Sequence, residues 1–237
     1  MALESLIGEL AGKSPGEILQ WVWDRYGPAV AMTSSFQSQS LPLLHLVSRV
    51  VPEMPVLFLD TGFHFPETLR FRDRLVAEWD LKVLNLRADR KVESALGPQL
   101  PVLPPYQQDP DQCCYVNKVQ PLREALKGLN AYVSGIRRDQ TRERSNIRVL
   151  ESAGGFIRVH PIGDWTERDV WRYIHEHDLP VHPLFEQGYA SVGCAPCTAP
   201  PLDAEDGRSG RWAGREKTEC GIHTHLRDRP GSGEGSG

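Results

Sequence analysis

Val56-Leu57-Phe58-Leu59 is an unbroken apolar run that stops at Asp60-Thr61-Gly62. A run this short, ended by polar turn-forming residues, reads as a strand buried on both faces, and such strands occur in parallel sheets covered by helices. The flanking sequence alternates to match. Ser14-Pro15-Gly16-Glu17 starts a helix, with Ser14 as cap, Pro15 in the first turn and Glu17 closing a capping box. Ile18, Leu19, Trp21, Val22 and Trp23 carry that helix to about Tyr26. Pro28–Met32 reads as a strand, Leu41–Val51 and Pro66–Trp79 as helices, and Lys82–Leu86 as a third strand. This β-α-β-α-β order predicts an α/β fold, a mostly parallel sheet with helices on both faces. The polar loops Thr33–Ser40 and Asp60–Phe65 then leave the carboxyl ends of the strands, where such sheets bind ligands.

Further along, Gly97–Pro110 holds five prolines and reads as irregular. Gln112–Leu126 is helical in pattern, Ala131–Ile136 and Phe156–Val159 are a fourth and a fifth strand, and Thr166 starts a helix that runs to about His177. Beyond Pro180 the chain is loop-rich and ends in G-S-G-E-G-S-G. Residues 1–225 are therefore expected to form a single domain and 226–237 a disordered tail. A chain of 237 residues can bury a core without disulfides. Its net charge of −4 gives no global basic field for nucleic acid. No apolar run reaches transmembrane length, and Met1–Leu10, with Glu4 and Glu9, lacks the basic start of a signal peptide. The expected location is cytoplasmic, where thiols stay reduced and paired cysteines more often hold metal.

Cys113 and Cys114 are adjacent, Cys194 and Cys197 form C-A-P-C, and Cys220 stands apart in E-C-G-I-H. Four thiolates in two close pairs suit zinc or an iron–sulfur cluster, and the fifth is a spare thiol and a nucleophile candidate. Zinc ligand pairs usually have about two to four residues between them, so adjacent cysteines demand a distorted zinc geometry. A multi-iron cluster, with each thiolate on its own iron, is easier to reach. Zinc and a set of unrelated cysteines buried as small apolar residues stay open as alternatives.

Arg137, Arg138, Arg142, Arg144 and Arg148 fall within twelve positions after the fourth strand. Alone they could be a solvated loop, but this loop leaves the same sheet edge as the other two, and arginine forks onto phosphate or sulfate oxygens. Arg208 and Arg211 add a pair in G-R-S-G-R, and Lys118 lies one turn beyond the adjacent cysteines. The hydroxyl-rich loop T-S-S-F-Q-S-Q-S at 33–40 is an anion cradle or a simple capping loop; without glycine or a Walker lysine it is no P-loop. The thiolate is the reactive form of a cysteine and nearby cations favour it; His223 and the arginines before it are candidates to supply them at Cys220, with an inert tail cysteine as the alternative. His45, His160, His175 and His177 show no ligand spacing tied to the cysteines and read as structural or surface residues.

Assembled in order, these segments resemble the assimilatory sulfonucleotide reductases, and within them the iron–sulfur adenylyl-sulfate (APS) reductases of bacteria. The resemblance runs from about Val30 to His223. It is carried by T-S-S-F-Q-S-Q-S, L-D-T-G-F-H-F-P-E-T at 59–68, C-C-Y-V-N-K-V-Q-P-L at 113–122, G-I-R-R-D-Q-T-R-E-R at 135–144, G-C-A-P-C-T at 193–198, G-R-S-G-R-W at 207–212 and E-C-G-I-H at 219–223. It implies an adenine-nucleotide α-hydrolase-like (Rossmann-like) fold and a [4Fe-4S] cluster on Cys113, Cys114, Cys194 and Cys197. It implies Cys220 as nucleophile, with Lys118, Arg144, Arg208, Arg211 and His223 around the phosphosulfate; Arg137, from the basic run itself, is a further candidate substrate contact. Ser34 and Ser35 fall in the modified pyrophosphate loop, and Asp60, Thr61, Gly62 and Gly135 match the adenosine site. The pyrophosphatase loop S-G-G-x-D-S is replaced, which argues against ATP cleavage. The implied activity is thioredoxin-dependent reduction of APS to sulfite and AMP through an S-sulfocysteine, in sulfate assimilation and cysteine biosynthesis. Use of the 3′-phosphorylated substrate PAPS, or of both, is the alternative. With no appended thioredoxin-like domain, the electrons are expected from a separate thioredoxin; a homo-oligomer stays open.

Overall fold

The computed structural model describes residues 3–88, 104–203, 206–217 and 219–222. Six strands make one sheet: β1 (Val30–Thr33), β2 (Val56–Leu59), β3 (Val83–Leu86), β4 (Ala131–Val133), β5 (Leu150–Ala153) and β6 (Phe156–Val159), in the order β3-β2-β1-β4-β6-β5. Every neighbouring pair is parallel except β5 with β6. Met32 lies opposite Val56, and Val30 opposite Ala131.

The period of two along the strands sorts the core into two faces. Val30, Met32, Val56, Phe58, Val133 and Val159 join one buried cluster. It is covered by α1 (Leu3–Glu9), α2 (Pro15–Tyr26), α3 (Leu41–Val50), α4 (Pro66–Trp79) and a later helix, Glu167–Glu176. Ala31, Leu57 and Tyr132 face the other way, against Leu122 and Leu126. The α/β reading, a mostly parallel sheet with helices on both faces, is the architecture found.

Short helices α5 (Pro105–Gln108) and α6 (Pro110–Cys114) lead into a π-helical turn, Tyr115–Val119, and then α7 (Gln120–Ala125). The helix Glu167–Glu176 is α8, opened by a Thr166–Asp169 capping box, and α9 is Pro183–Glu186. The predicted Ser14–Glu17 capping box is formed.

Several boundaries differ from the sequence reading. The first strand begins at Val30 because Pro28, which has no N–H for the ladder, sits in a tight turn over Gly27–Ala29. The fourth strand stops at Val133, where the Ile136 N–H turns back to the Ser134 hydroxyl (3.4 Å). Helix α1 and strand β5 were not anticipated. β5 returns to β6 through Gly154-Gly155, both at positive φ (57° and 113°), which is a glycine-dependent hairpin turn. The single helix expected over 112–126 contains the π-turn. His223, the tail 226–237 and residues 97–103 of the proline-rich segment lie outside the described residues.

From β1 the sheet grows outward to β2 and β3 on one side and to β4 on the other. The strand order thus reverses between the parallel strands β1 and β4, and a crevice opens at their carboxyl ends, the usual ligand position in such sheets.

Candidate active site

A cavity of about 390 Å³ occupies this crevice, within the size range of small-molecule sites. Ser34 and Ser35 enter from the loop after β1, and Gly135, Arg137 and Arg144 from the segment after β4. Lys118, Arg208, Arg211 and Cys220 complete the far wall. Asp60, Thr61 and Gly62 do not line this cavity. The Asp60 carboxylate is taken by Arg87 (2.6 and 2.9 Å) and by the Gly62 N–H (3.1 Å). Burial alone would raise its pKa; those partners outweigh burial and hold it below the usual carboxylate range.

The loop after β1 is shaped by one unusual residue. Phe36 has φ 55°, a left-handed backbone more often given to glycine, and its ring is fully buried against Phe58 at 5.7 Å. The Ser34 hydroxyl accepts from the Phe36 N–H (3.1 Å), and the Ser35 hydroxyl meets Ser40 (3.1 Å). The loop is thus rigid without glycine.

The arginine run separates by partner. Arg138 turns away to Asp164 and the Ile147 carbonyl, and Arg148 turns to Glu4. Arg137 is buried, held by Asp139 (2.9 and 3.2 Å) and by the side-chain amide oxygen of Gln39 (2.7 Å). Arg144 donates to Glu219 (3.0 and 2.7 Å) and to Gln140 (2.5 Å). Arg208 approaches the same Glu219 at 4.0 Å. Among the described residues, Lys118 and Arg211 have no carboxylate at ion-pair distance. The buried Arg211 Nε–H has no partner at all. Burial works against the Lys118 charge, but negative charge on the Cys194, Cys220 and Cys114 sulfurs, in their thiolate form, outweighs it and holds the ammonium above the ordinary lysine range. The cavity wall therefore carries more positive than negative charge.

Behind Lys118 lies a second, smaller cavity whose wall includes Cys113, Cys114, Cys194 and Cys197. The C-A-P-C loop reaches it by pairing with the loop after β2: His64 bridges Cys194, and the Ala195 N–H donates to the Phe63 carbonyl (2.7 Å). The Trp212 N–H donates to the Cys197 carbonyl (3.1 Å). Thr61 Oγ1 lies 3.3 Å from Cys194 Sγ, and the Asn117 amide donates to the Cys113 carbonyl (3.0 Å) and toward its Sγ (3.7 Å). Trp212, in the wall of this cavity, has a buried indole N–H without a partner. Burial pushes the Cys114 thiol up to about 11 and raises Cys113 and Cys197, so any metal bound there must displace their protons.

Among the described residues, no three His, Cys, Asp or Glu side chains are grouped so as to hold a single metal ion. Four thiols line one cavity, with Thr61 Oγ1 beside Cys194 Sγ and the Asn117 amide beside Cys113 Sγ, a donor set that suits a group taking one thiolate per iron.

The model of the phosphoadenosine phosphosulfate reductase domain matches residues 29–200. The chain belongs to that family. It is 43% identical over 220 residues to the adenosine 5′-phosphosulfate reductase of Streptomyces coelicolor, covering 91% of this chain and 90% of the relative. The enzyme of the same name from Staphylococcus haemolyticus is 39% identical, covering 96% and 93%. Among solved structures, a phosphoadenylyl-sulfate reductase from Candida auris, as a phosphate complex, superposes with TM-score 0.70 and 25% identity over 84% of this chain and 98% of that one. An FMN adenylyltransferase from Candida glabrata, 16% identical with TM-score 0.58 over 79% of this chain and 64% of that one, shares the fold.

Within this family member, sequence reasoning missed Gln39, His64, Asp139, Gln140 and Glu219, all in the main cavity wall. All five lie inside the quoted motifs, and Glu219 is next to Cys220. His64 donates to the Leu59 carbonyl (2.8 Å) and stacks on Phe58 (4.8 Å), a contact visible only once the loop after β2 is folded.

Proposed function

We propose that this chain is an adenylyl-sulfate reductase whose substrate lies in the crevice between β1 and β4, with its phosphosulfate against Lys118, Arg208 and Arg211. The observation that carries this reading is that Lys118 and Arg211, which line the cavity with Cys220, have no carboxylate at ion-pair distance among the described residues. Phosphosulfate brings the negative charge that this wall lacks, and cations placed there stabilise charge moving onto the leaving phosphate. Gly135 supports a nucleotide on the strand side. A Cβ there would meet protein only at 3.5 and 3.9 Å, so internal packing does not demand glycine, and its bare backbone on the cavity wall suits close approach of a ligand. Arg137 and Asp60, tied to protein partners, shape the site rather than meet the anion.

The Cys220 thiolate attacks the sulfate sulfur. The bond from that sulfur to the bridging phosphate oxygen breaks, AMP leaves with the electron pair, and Cys220 carries S–SO₃⁻. A thiolate of a separate dithiol protein, thioredoxin by class, attacks Cys220 Sγ. Sulfite leaves with the S–S electron pair, and the second thiol of the donor releases Cys220 while the donor is oxidised to a disulfide. Cys113, Cys114, Cys194 and Cys197 would hold a [4Fe-4S] cluster. When bound it would supply a fixed charge distribution beside Lys118.

Sulfite release should be measured with APS and with its 3′-phosphorylated form, using thioredoxin as reductant. The expected preference for APS is at least about tenfold in kcat/KM, equivalent to about 1.4 kcal/mol. Equal constants would mean dual use, and preference for the phosphorylated form would replace this reading. Substrate without reductant should add about 80 Da to Cys220, the mass of one SO₃ in a covalent intermediate, and Cys220→Ser should abolish the adduct and the sulfite.

A further inference from the structure

Glu219 is a carboxylate in a site that otherwise collects cations. Its Oε1 accepts from Arg144 Nε (3.0 Å) and Thr141 Oγ1 (3.4 Å), and its Oε2 accepts from Arg144 Nη2 (2.7 Å), with Arg208 Nη2 at 4.0 Å. The Arg144 and Glu219 side chains are each only 10% exposed. A carboxylate placed there opposes the binding of an anionic substrate, because it uses the donors the anion needs. Its contribution must lie elsewhere, and its neighbour in the chain is Cys220.

On the far side of Cys220, Gly221 has φ +83° and turns the chain so that Ile222 packs against the cluster of Ala31, Leu57, Leu122, Leu126 and Tyr132. Cys220 is thus fixed from both sides, by a charge anchor at Glu219 and an apolar anchor at Ile222. Arg144 is itself braced by Gln140, whose side-chain amide oxygen also accepts from the Arg137 backbone N–H (3.0 Å). The chain of contacts runs from the segment after β4 to the thiol.

We propose that Glu219 is a positioning residue: its bidentate pair with Arg144 sets Cys220 Sγ in line with the sulfur of the bound substrate. This rests on the reading of Cys220 as nucleophile. Positioning errors of about 1 Å can cost about 10²-fold in rate, whereas losing a competing carboxylate leaves ground-state binding equal or tighter. The two effects therefore move in opposite directions.

The test compares wild type with Glu219→Gln and Glu219→Asp in single-turnover formation of the Cys220 adduct, alongside AMP binding by calorimetry. Glu219→Gln should slow adduct formation at least ~10-fold with AMP affinity unchanged or raised, and Glu219→Asp, which keeps the charge, should recover part of the rate. Alkylation of Cys220 without substrate should change in Glu219→Gln, reporting a displaced thiol. Equal adduct rates in wild type and Glu219→Gln would overturn the proposal alone. A parallel loss of rate and AMP affinity would assign Glu219 to general folding and also overturn it. An adduct on another cysteine in wild type would overturn the nucleophile reading and this proposal with it.

Discussion

Arg137 and Arg211 show how the same side chain takes opposite work by its partners. Arg137 is buried among Asp139, Gln39 and the cavity wall, so removing it leaves a paired carboxylate without its cation. Arg137→Ala should lose about 1.5–3 kcal/mol of stability, the usual worth of a hydrogen bond to a charged group, read as a fall in Tm, because Asp139 keeps solvent and the Glu167 N–H. Arg211 has no carboxylate to leave behind; its guanidinium lies over the Trp212 ring at 4.6 Å with Nε unsatisfied. Arg211→Ala should leave Tm nearly unchanged and lower kcat/KM for APS by about 10- to 100-fold, matching about 1.5–3 kcal/mol for a hydrogen bond to a charged group. Phe36 is a third case. A left-handed backbone costs about 1–2 kcal/mol at a non-glycine residue. Burial of the ring returns about 1.5–3 kcal/mol, so the strained loop holds only while the ring stays packed. Phe36→Ala should lose about 3–5 kcal/mol in urea unfolding and weaken nucleotide binding with it.

The elements around the cysteines meet a problem that adjacent ligands create. Successive residues of a regular helix point about a quarter-turn apart or more, so Cys113 and Cys114 cannot both face one site from an ideal helix without adjustment. The π-turn Tyr115–Val119 begins directly after them, and such bulges concentrate at functional sites. The opposite cysteine pair is held by close backbone approach: a Cβ on Gly210 would run into the carbonyls of Ala199 and Pro200, across the pairing that delivers Trp212 to Cys197. His182 joins two further elements. Its Nε2–H meets Thr68 Oγ1 on α4 (3.0 Å), and its Nδ1 accepts from the Leu184 N–H at α9 (3.2 Å). Burial lowers its pKa from 6.5 to about 4, with Glu67 opposing. The neutral ring is the folded form, so the unfolded chain binds the extra proton and stability falls as pH drops from about 6.5 toward 4. His182→Gln should flatten the fall of Tm across that window; an unchanged slope would remove His182 as its source.

At the scale of the molecule, backbone pairing of the C-A-P-C loop with the loop after β2 brings the loop-rich segment after α9 back over the sheet, and Glu219 and Ile222 then seat Cys220. If the four thiolates hold iron, Cys114→Ser should lose the visible absorbance and about four irons per chain, and a coloured, iron-replete Cys114→Ser protein would end that reading. The α/β alternation, the two helix caps and the strand-end loops were legible in the sequence, because apolar period and capping chemistry are local. The β5–β6 hairpin was equally local in Gly154-Gly155 and was simply not read. The arginines could not be sorted in the same way. Arg137, Arg138, Arg144 and Arg148 are alike in sequence, and their roles come from Asp139, Asp164, Glu219 and Glu4, most of them distant along the chain. Asp60 left the cavity for Arg87 by the same kind of pairing across strands. Sequence by itself therefore determined which residue types reach the carboxyl end of the sheet. Only tertiary structure decided which cations stay uncompensated there, because charge pairing acts through space and is settled after the chain has folded.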